Sequence, residues 1–124
     1  MYAERHVVQA VTAANGSVTA YSPVVTGRIA SIRYVKSDSG GYADTVDFAI
    51  TAEATGETLW TEENVTASAS RAPRQPTHST AGVAALYAAT FAVLDRIVLA
   101  KDRVKIAVTN GGDTKAGTFH IVME

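Results

Sequence analysis

The sequence of 124 residues predicts an all-β fold, an antiparallel β-sandwich of the jelly-roll kind, in a single domain spanning 1–124. Apolar residues recur at every second position in several short runs, β-branched residues fill those runs, and turn-forming residues separate them. About seven to nine short strands at this spacing are typical of a sandwich, a jelly roll or a small barrel. Nothing in the sequence orders these strands.

The alternation is weak near the N-terminus and clear in the later runs. The apolar sets, in chain order, are Val7 and Val11; Ala30, Ile32 and Tyr34; Val46, Phe48 and Ile50; Val104, Ile106 and Val108; and Phe119, Ile121 and Met123. Such sets place one strand face on a core and the other on solvent, as antiparallel sheets do. We therefore predict a core that includes Ile32, Phe48, Ile50, Val104, Ile106, Phe119 and Ile121.

Turn residues mark where the chain reverses. Asn and Gly tolerate positive φ, so Asn15–Gly16 and Asn110–Gly112 are predicted to form hairpin turns. Ser39–Gly41 and Thr55–Glu57 mark two further reversals.

One stretch departs from the strand pattern. Residues 67–81 are rich in Ala, Ser, Thr and Arg, and Pro73 and Pro76 favour an extended backbone, so we predict a long exposed loop. After this loop, apolar residues follow the spacing of one helix face: Val83, Leu86, Tyr87, Thr90, Phe91 and Leu94. This spacing predicts a short helix at about 82–93, although an extended arm with alternating small residues would look similar.

The composition limits the classes of function. Eleven basic and twelve acidic residues give a net charge of -1, which argues against a nucleic-acid binder that works through bulk charge. The absence of cysteine excludes disulfides, thiolate chemistry and Cys-based zinc sites. No run approaches the roughly 20 apolar residues of a membrane span, and the first residues are polar. We expect a chain that is made in a cytoplasm and does not bind membranes.

The sequence shows no catalytic motif. His6, His78 and His120 are scattered, and none is spaced with another ligand for a metal site. There is no Gly-x-Ser-x-Gly elbow, and the loop Gly111–Gly117 lacks Walker spacing. We therefore predict no enzyme activity, no cofactor and no metal.

A small β-sandwich can also bind a sugar through aromatic side chains. Trp60, Tyr42, Tyr21 and Tyr2 are the candidate stacking residues. Trp60 has Leu59 beside it, so one of these two side chains is expected to face the core and the other to face outward. An outward-facing Trp60 would favour a contact surface, and a buried one is the alternative.

The order of these features resembles a family of small structural proteins of tailed phages, of the head decoration or cement type. The resemblance lies in four stretches that fall on predicted strands: Gly27–Val35; Val46–Thr51 with Ala54–Glu57; Leu99–Ile106; and Gly117–Val122. It implies a β-sandwich or jelly roll that is added to the capsid exterior, and a location in the virion. It carries over no functional residues.

We therefore expect the major capsid protein and further copies of this chain as partners. Residues 67–94 are expected to carry much of the contact surface, with Arg71, Arg74, Tyr87 and Phe91 as its anchors, because Arg and aromatic residues dominate interface energetics. The alternative is that the predicted helix caps its own sandwich and buries Leu86, Phe91 and Leu94. Alternative functions are a phage tail or connector protein and a carbohydrate-binding module.

Overall fold

The computed structural model describes residues 3–124, and every regular element in this part of the chain is a β-strand. The thirteen strands are β1 (Glu4–Val11), β2 (Val18–Tyr21), β3 (Val25–Lys36), β4 (Asp47–Ala52), β5 (Thr58–Glu62), β6 (Ala69–Arg71), β7 (Arg74–Pro76), β8 (Leu86–Ala88), β9 (Phe91–Ala92), β10 (Leu94–Arg96), β11 (Val98–Asp102), β12 (Val104–Thr109) and β13 (Ala116–Met123). The prediction of an all-β fold is confirmed.

Two sheets form a sandwich. One has the strand order β1-β13-β3-β11, and the other has the order β2-β12-β4-β5. β1 pairs with β13, β2 with β12, β3 with β11 and β4 with β5, always antiparallel. The eight strands of the two sheets thus pair first with last, second with second-last, and so on inward along the chain. This is the pairing of one long hairpin rolled up on itself, and it confirms the jelly-roll prediction.

The core lies between the inward faces of the two sheets. All seven residues predicted for it are buried, with at most 1% of the surface of each exposed. Phe119 of one sheet meets Phe48 of the other edge to face, with ring centroids 5.0 Å apart. Because buried aromatic residues contribute large apolar areas, this contact is a main link between the two sheets.

The two turns predicted as hairpins have another role. Asn110, Gly16 and Gly112 do adopt positive φ, as their residue types indicate. However, the turn at Asn15–Gly16 joins β1 to β2, and the turn at Asn110–Gly112 joins β12 to β13, so each carries the chain from one sheet to the other. The hairpin prediction was wrong because alternation identifies strand faces but not strand partners.

Leu59 and Trp60 are both buried, so the expectation that one of them faces outward was wrong. The cause is an irregularity in the pairing of β5 with β4. Ile50 lies opposite Trp60, but the next residue, Thr51, lies opposite Thr58, so Leu59 is skipped. A bulge of this kind breaks the period of two and turns two successive side chains inward.

The predicted helix at 82–93 is absent, and the open alternative of an extended arm is what the structure contains. We call residues 74–96 the arm. In it, the Ala85 N–H donates to the Thr77 carbonyl and the Val93 N–H donates to the Ala85 carbonyl, each at 2.9 Å. β8 and β9 form a short hairpin near the end of the arm.

The exposure of the arm explains why no helix forms. Leu86, Phe91 and Leu94 are 50%, 59% and 55% exposed, so the alternative in which they are buried as a cap on the sandwich was also wrong. A helix of about 12 residues is only marginally stable without a surface that buries its apolar face. The extended conformation instead receives backbone hydrogen bonds from neighbouring parts of the arm.

Candidate functional site

The arm leaves the sandwich at one open edge. It is inserted between β5 and β11, and each of these strands lies at the end of its own sheet. Along the same side of β3, β11 pairs with residues 25–28 and β6 pairs with residues 32–34. β6 therefore extends the first sheet at this edge, immediately before the arm begins.

Arg71, at the end of β6, closes this edge against the other sheet. Its guanidinium Nη2 lies 2.6 Å from Glu62 Oε1, and its Cζ lies 5.3 Å from the centroid of the Trp60 ring. Trp60 Nε1 donates to the same Glu62 oxygen at 3.1 Å. The hydrogen bond from Arg71 lowers the pKa of the Glu62 carboxyl. Arg71 thus has partners within its own chain.

Arg74 and Arg96 hold the two strands at the base of the arm. Arg74 Nη1 donates to the Pro73 carbonyl at 2.7 Å and makes longer contacts with the carbonyls of Ile29 and Ala30, at 3.5 and 3.4 Å. On the returning strand, Arg96 forms an ion pair with Glu124. The base of the arm is therefore attached to the sandwich on both of its strands.

The outer part of the arm presents large apolar side chains to solvent. Tyr87 and Phe91 are stacked, with ring centroids 5.8 Å apart and an interplanar angle of 19°, and they are 71% and 59% exposed. Val83, Leu86 and Leu94 are also at least half exposed. Several exposed large apolar residues in one short segment indicate an interaction surface. The sequence placed Tyr87 and Phe91 one helical turn apart, whereas the structure brings them together on the β8–β9 hairpin.

The aromatic residues considered for sugar stacking are mostly unavailable. Trp60 and Tyr42 are buried in the core. Tyr21 is partly exposed, but the Arg103 guanidinium lies 4.1 Å from its ring centroid and covers it. Tyr2 lies outside the described residues. Within residues 3–124, these side chains do not form an aromatic platform.

The histidines are dispersed. His6 Nε2 lies 3.6 Å from Glu4 Oε2 on β1. His78 is exposed in the arm, and His120 lies on the outward face of β13. Among residues 3–124, no three His, Cys, Asp or Glu side chains come together to hold a metal ion. The same residues include no helix long and apolar enough to cross a membrane.

Two surface grooves lie away from the arm. One, of about 420 Å³, is formed by the turns that link the two sheets and includes Asn15, Thr45 and Asn110. The other, of about 380 Å³, crosses the outer face of the first sheet and includes Arg5, Arg33 and His120. Sequence reasoning missed the second groove because its residues come from four strands, β1, β3, β6 and β13, whose order the alternation does not reveal.

No protein-family model matches the chain, and no curated protein matches its sequence. Among solved structures, a crystal structure of FLHE is similar in backbone, with a TM-score of 0.48 and 9% sequence identity. The similarity covers 100% of this chain and 99% of that one. At this level of similarity it carries no argument about function.

Proposed function

We propose that the chain is a non-enzymatic structural protein of a tailed-phage virion, a capsid decoration or cement protein. In this proposal the jelly roll is the body, and the arm attaches it to the outside of the major capsid lattice. The single observation that carries the proposal is the exposed apolar surface of the arm. The resemblance of four strand segments to small phage head proteins supports the choice of partner.

The arm has the properties of a preformed binding element. Each large apolar side chain that moves from water into an interface contributes about 25 cal/mol per Å² of buried apolar area. Tyr87 and Phe91 already stack on each other, so they lose little side-chain freedom when they bind. Aromatic side chains of this kind dominate the free energy of many interfaces. We therefore propose Tyr87 and Phe91 as the anchors of the contact.

Arg71 and Arg74 support the contact from the base of the arm. Because Arg71 contacts Glu62 and Trp60, and Arg74 reaches the carbonyls of Ile29 and Ala30 on β3, both side chains help to fix the direction in which the arm leaves the sandwich. Replacing both with alanine is expected to lower the melting temperature and also to weaken binding. Replacing an aromatic anchor is expected to weaken binding alone.

Repetition of the lattice is part of the proposal. A capsid presents the same site many times under symmetry, and copies of this chain bound side by side can contact one another. Contacts between neighbouring bound copies add to the contact of each copy with the lattice, and the linked contacts raise the overall affinity. The partners are therefore the major capsid protein and neighbouring copies of this chain.

The proposal is tested on particles from the phage or prophage that encodes the chain. Heads and tails are purified separately, and quantitative mass spectrometry measures the chain relative to the major capsid protein. We expect a fixed ratio in heads and none in tails. A chain that is absent from particles, or that is present only in tails, contradicts the proposal.

A matched pair of variants then tests the arm. Heads that lack the chain are incubated with purified wild-type protein, with Tyr87→Ser/Phe91→Ser, or with Val24→Ser. Val24 is 62% exposed and lies outside the arm, so its variant controls for the loss of exposed apolar surface. Co-sedimentation should be lost for the arm variant and kept for the control, with unchanged melting temperatures. Equal binding by all three proteins rules out the arm as the attachment surface.

A further inference from the structure

The arginines divide into two groups. Arg71, Arg96 and Arg103 each form an ion pair within the chain, and Arg74 donates to main-chain carbonyls. Arg5, Arg28 and Arg33 form no ion pair with any carboxylate of residues 3–124. All three lie on exposed positions of β1 and β3, on the outward face of the first sheet.

Strand register brings two of these arginines to one groove. Arg5 lies opposite Val122, which in turn lies opposite Ser31. In the next outward-facing row, His120 lies opposite Arg33, and Arg33 lies opposite Ser70. The groove of about 380 Å³ is lined by Arg5, Arg33, His120, Ser31 and Ser70, with Val122 among its apolar residues. Arg28 is not part of it.

Every polar residue of the lining can donate a hydrogen bond, and the lining has no acidic member. Two guanidinium groups, an imidazole and two hydroxyls surround the space, and Arg33 Nη1 already donates to Ser70 Oγ at 2.9 Å. Guanidinium forks match the two oxygens of a carboxylate or phosphate and form their strongest hydrogen bonds with them. The side chains of Val122 and Val35 add apolar surface beside these donors.

We propose that this groove binds a small organic anion, in which a carboxylate or phosphate group is attached to a partly apolar skeleton. Arg5 and Arg33 hold the anionic group from two sides, His120 and the serine hydroxyls supply further hydrogen bonds, and the valines contact the skeleton. The groove lies on the β1-β13-β3 face and not on the arm, so the proposal is independent of the proposed attachment to a capsid.

The test uses the full chain and three small probes that share one aromatic ring: phenyl phosphate, benzoate and benzyl alcohol. Nuclear magnetic resonance follows the imidazole signals of His120 and the Nε–H signals of the arginines during titration. We expect at least one of the two anions to shift the His120 signals to saturation, and benzyl alcohol to leave them unchanged. The anion that binds more tightly identifies the chemical group.

Three glutamine variants decide whether the groove is responsible. Arg5→Gln and Arg33→Gln should each weaken anion binding roughly tenfold, as expected when one charge-assisted hydrogen-bonding group is lost. Arg28→Gln, with the same change on the same face but outside the groove, should change it by less than about twofold. Because Arg33 contacts Ser70, a melting curve checks that Arg33→Gln is folded. If Arg33→Gln is unfolded, the comparison of Arg5→Gln with Arg28→Gln tests the groove.

Three results would overturn the inference. These are the absence of saturable shifts with both anions, equal binding of benzyl alcohol, and an equal loss of binding in Arg28→Gln and Arg5→Gln. The first two would show that the groove does not recognise the charged group. The third would show that the anions respond only to the general positive charge of the sheet face.

Discussion

Two tyrosines stack in the core but differ at their hydroxyls. The ring centroids of Tyr34 and Tyr42 lie 5.9 Å apart, and the two rings are nearly parallel, with an interplanar angle of 12°. Tyr42 Oη donates to the Ala10 carbonyl at 2.6 Å, whereas the buried Tyr34 hydroxyl has no hydrogen-bond partner among residues 3–124. Burial raises the pKa of both hydroxyls, so both remain protonated at neutral pH. We therefore expect opposite effects when each is replaced by phenylalanine.

The magnitudes follow from the hydrogen bonds. Tyr42→Phe removes a buried hydrogen bond and should lower the free energy of unfolding by about 1–2 kcal/mol. The buried Tyr34 hydroxyl has lost its hydrogen bonds to water and gains none within the protein, which destabilises the folded state. Tyr34→Phe removes this hydroxyl and should raise the free energy of unfolding by about 1 kcal/mol. For a domain of this size, the resulting difference of about 2–3 kcal/mol separates the two melting temperatures by roughly 8–12 °C.

Urea unfolding at neutral pH, followed by Trp60 fluorescence, measures both variants. Trp60 packs edge to face on Phe48 with ring centroids 5.5 Å apart, so its emission reports on the core. Equal m-values would show that the same surface is exposed on unfolding in each protein. If Tyr34→Phe is destabilised as much as Tyr42→Phe, the Tyr34 hydroxyl has a stabilising partner and the reasoning fails.

Further variants test the core and the open edge of the sandwich. Ile106→Ala should cost about 2–5 kcal/mol in urea unfolding, because it leaves a cavity at a fully buried position; a cost below about 1 kcal/mol would contradict this packing. Gly117→Ala should cost about 1–3 kcal/mol in the same assay, because a Cβ there would lie 2.4 Å from the Tyr42 ring. Arg71→Ala should lower the melting temperature at neutral pH, with the largest effect above pH 4.5. The depressed pKa of Glu62 adds stability above its ordinary value of 4.5, and this stability is lost as the pH falls through the folded value. A pH-independent difference between Arg71→Ala and wild type, in melting curves from pH 3 to 7, would exclude this ion pair as the cause.

On the later strands the sequence predicted the inward faces well, because burial on one side imposes a period of two. On β1 the prediction was wrong, since Val7 and Val11 are exposed and Val8 and Ala10 are buried. Ile32, Phe48 and Phe119 all point inward as their spacing required. The period says nothing about which strands are neighbours, so the crossings at Asn15–Gly16 and Asn110–Gly112 were predicted as hairpins. At Leu59 the period itself fails, because a bulge is a property of two paired strands and not of one.

The candidate site was predicted in composition but not in geometry. Tyr87 and Phe91 were correctly grouped, since residues four apart are neighbours both on a helix and across a tight hairpin. The apolar spacing could not distinguish these two conformations without knowing whether a surface lay beneath the segment. The anion groove was missed because Arg5, Arg33 and His120 are far apart in the chain and meet only through strand register.

The position of β13 has a consequence for how the molecule is made. β13 is the last strand along the chain, yet it lies between β1 and β3 and supplies hydrogen-bonding partners to both. During translation, β1 and β3 leave the ribosome well before the strand that joins them. Until residues 116–123 emerge, these two strands have unpaired edges that neighbouring nascent chains can join. We expect a chain that stops before residue 116 to aggregate, because β1 and β3 then keep the edges that β13 pairs with in the complete sheet.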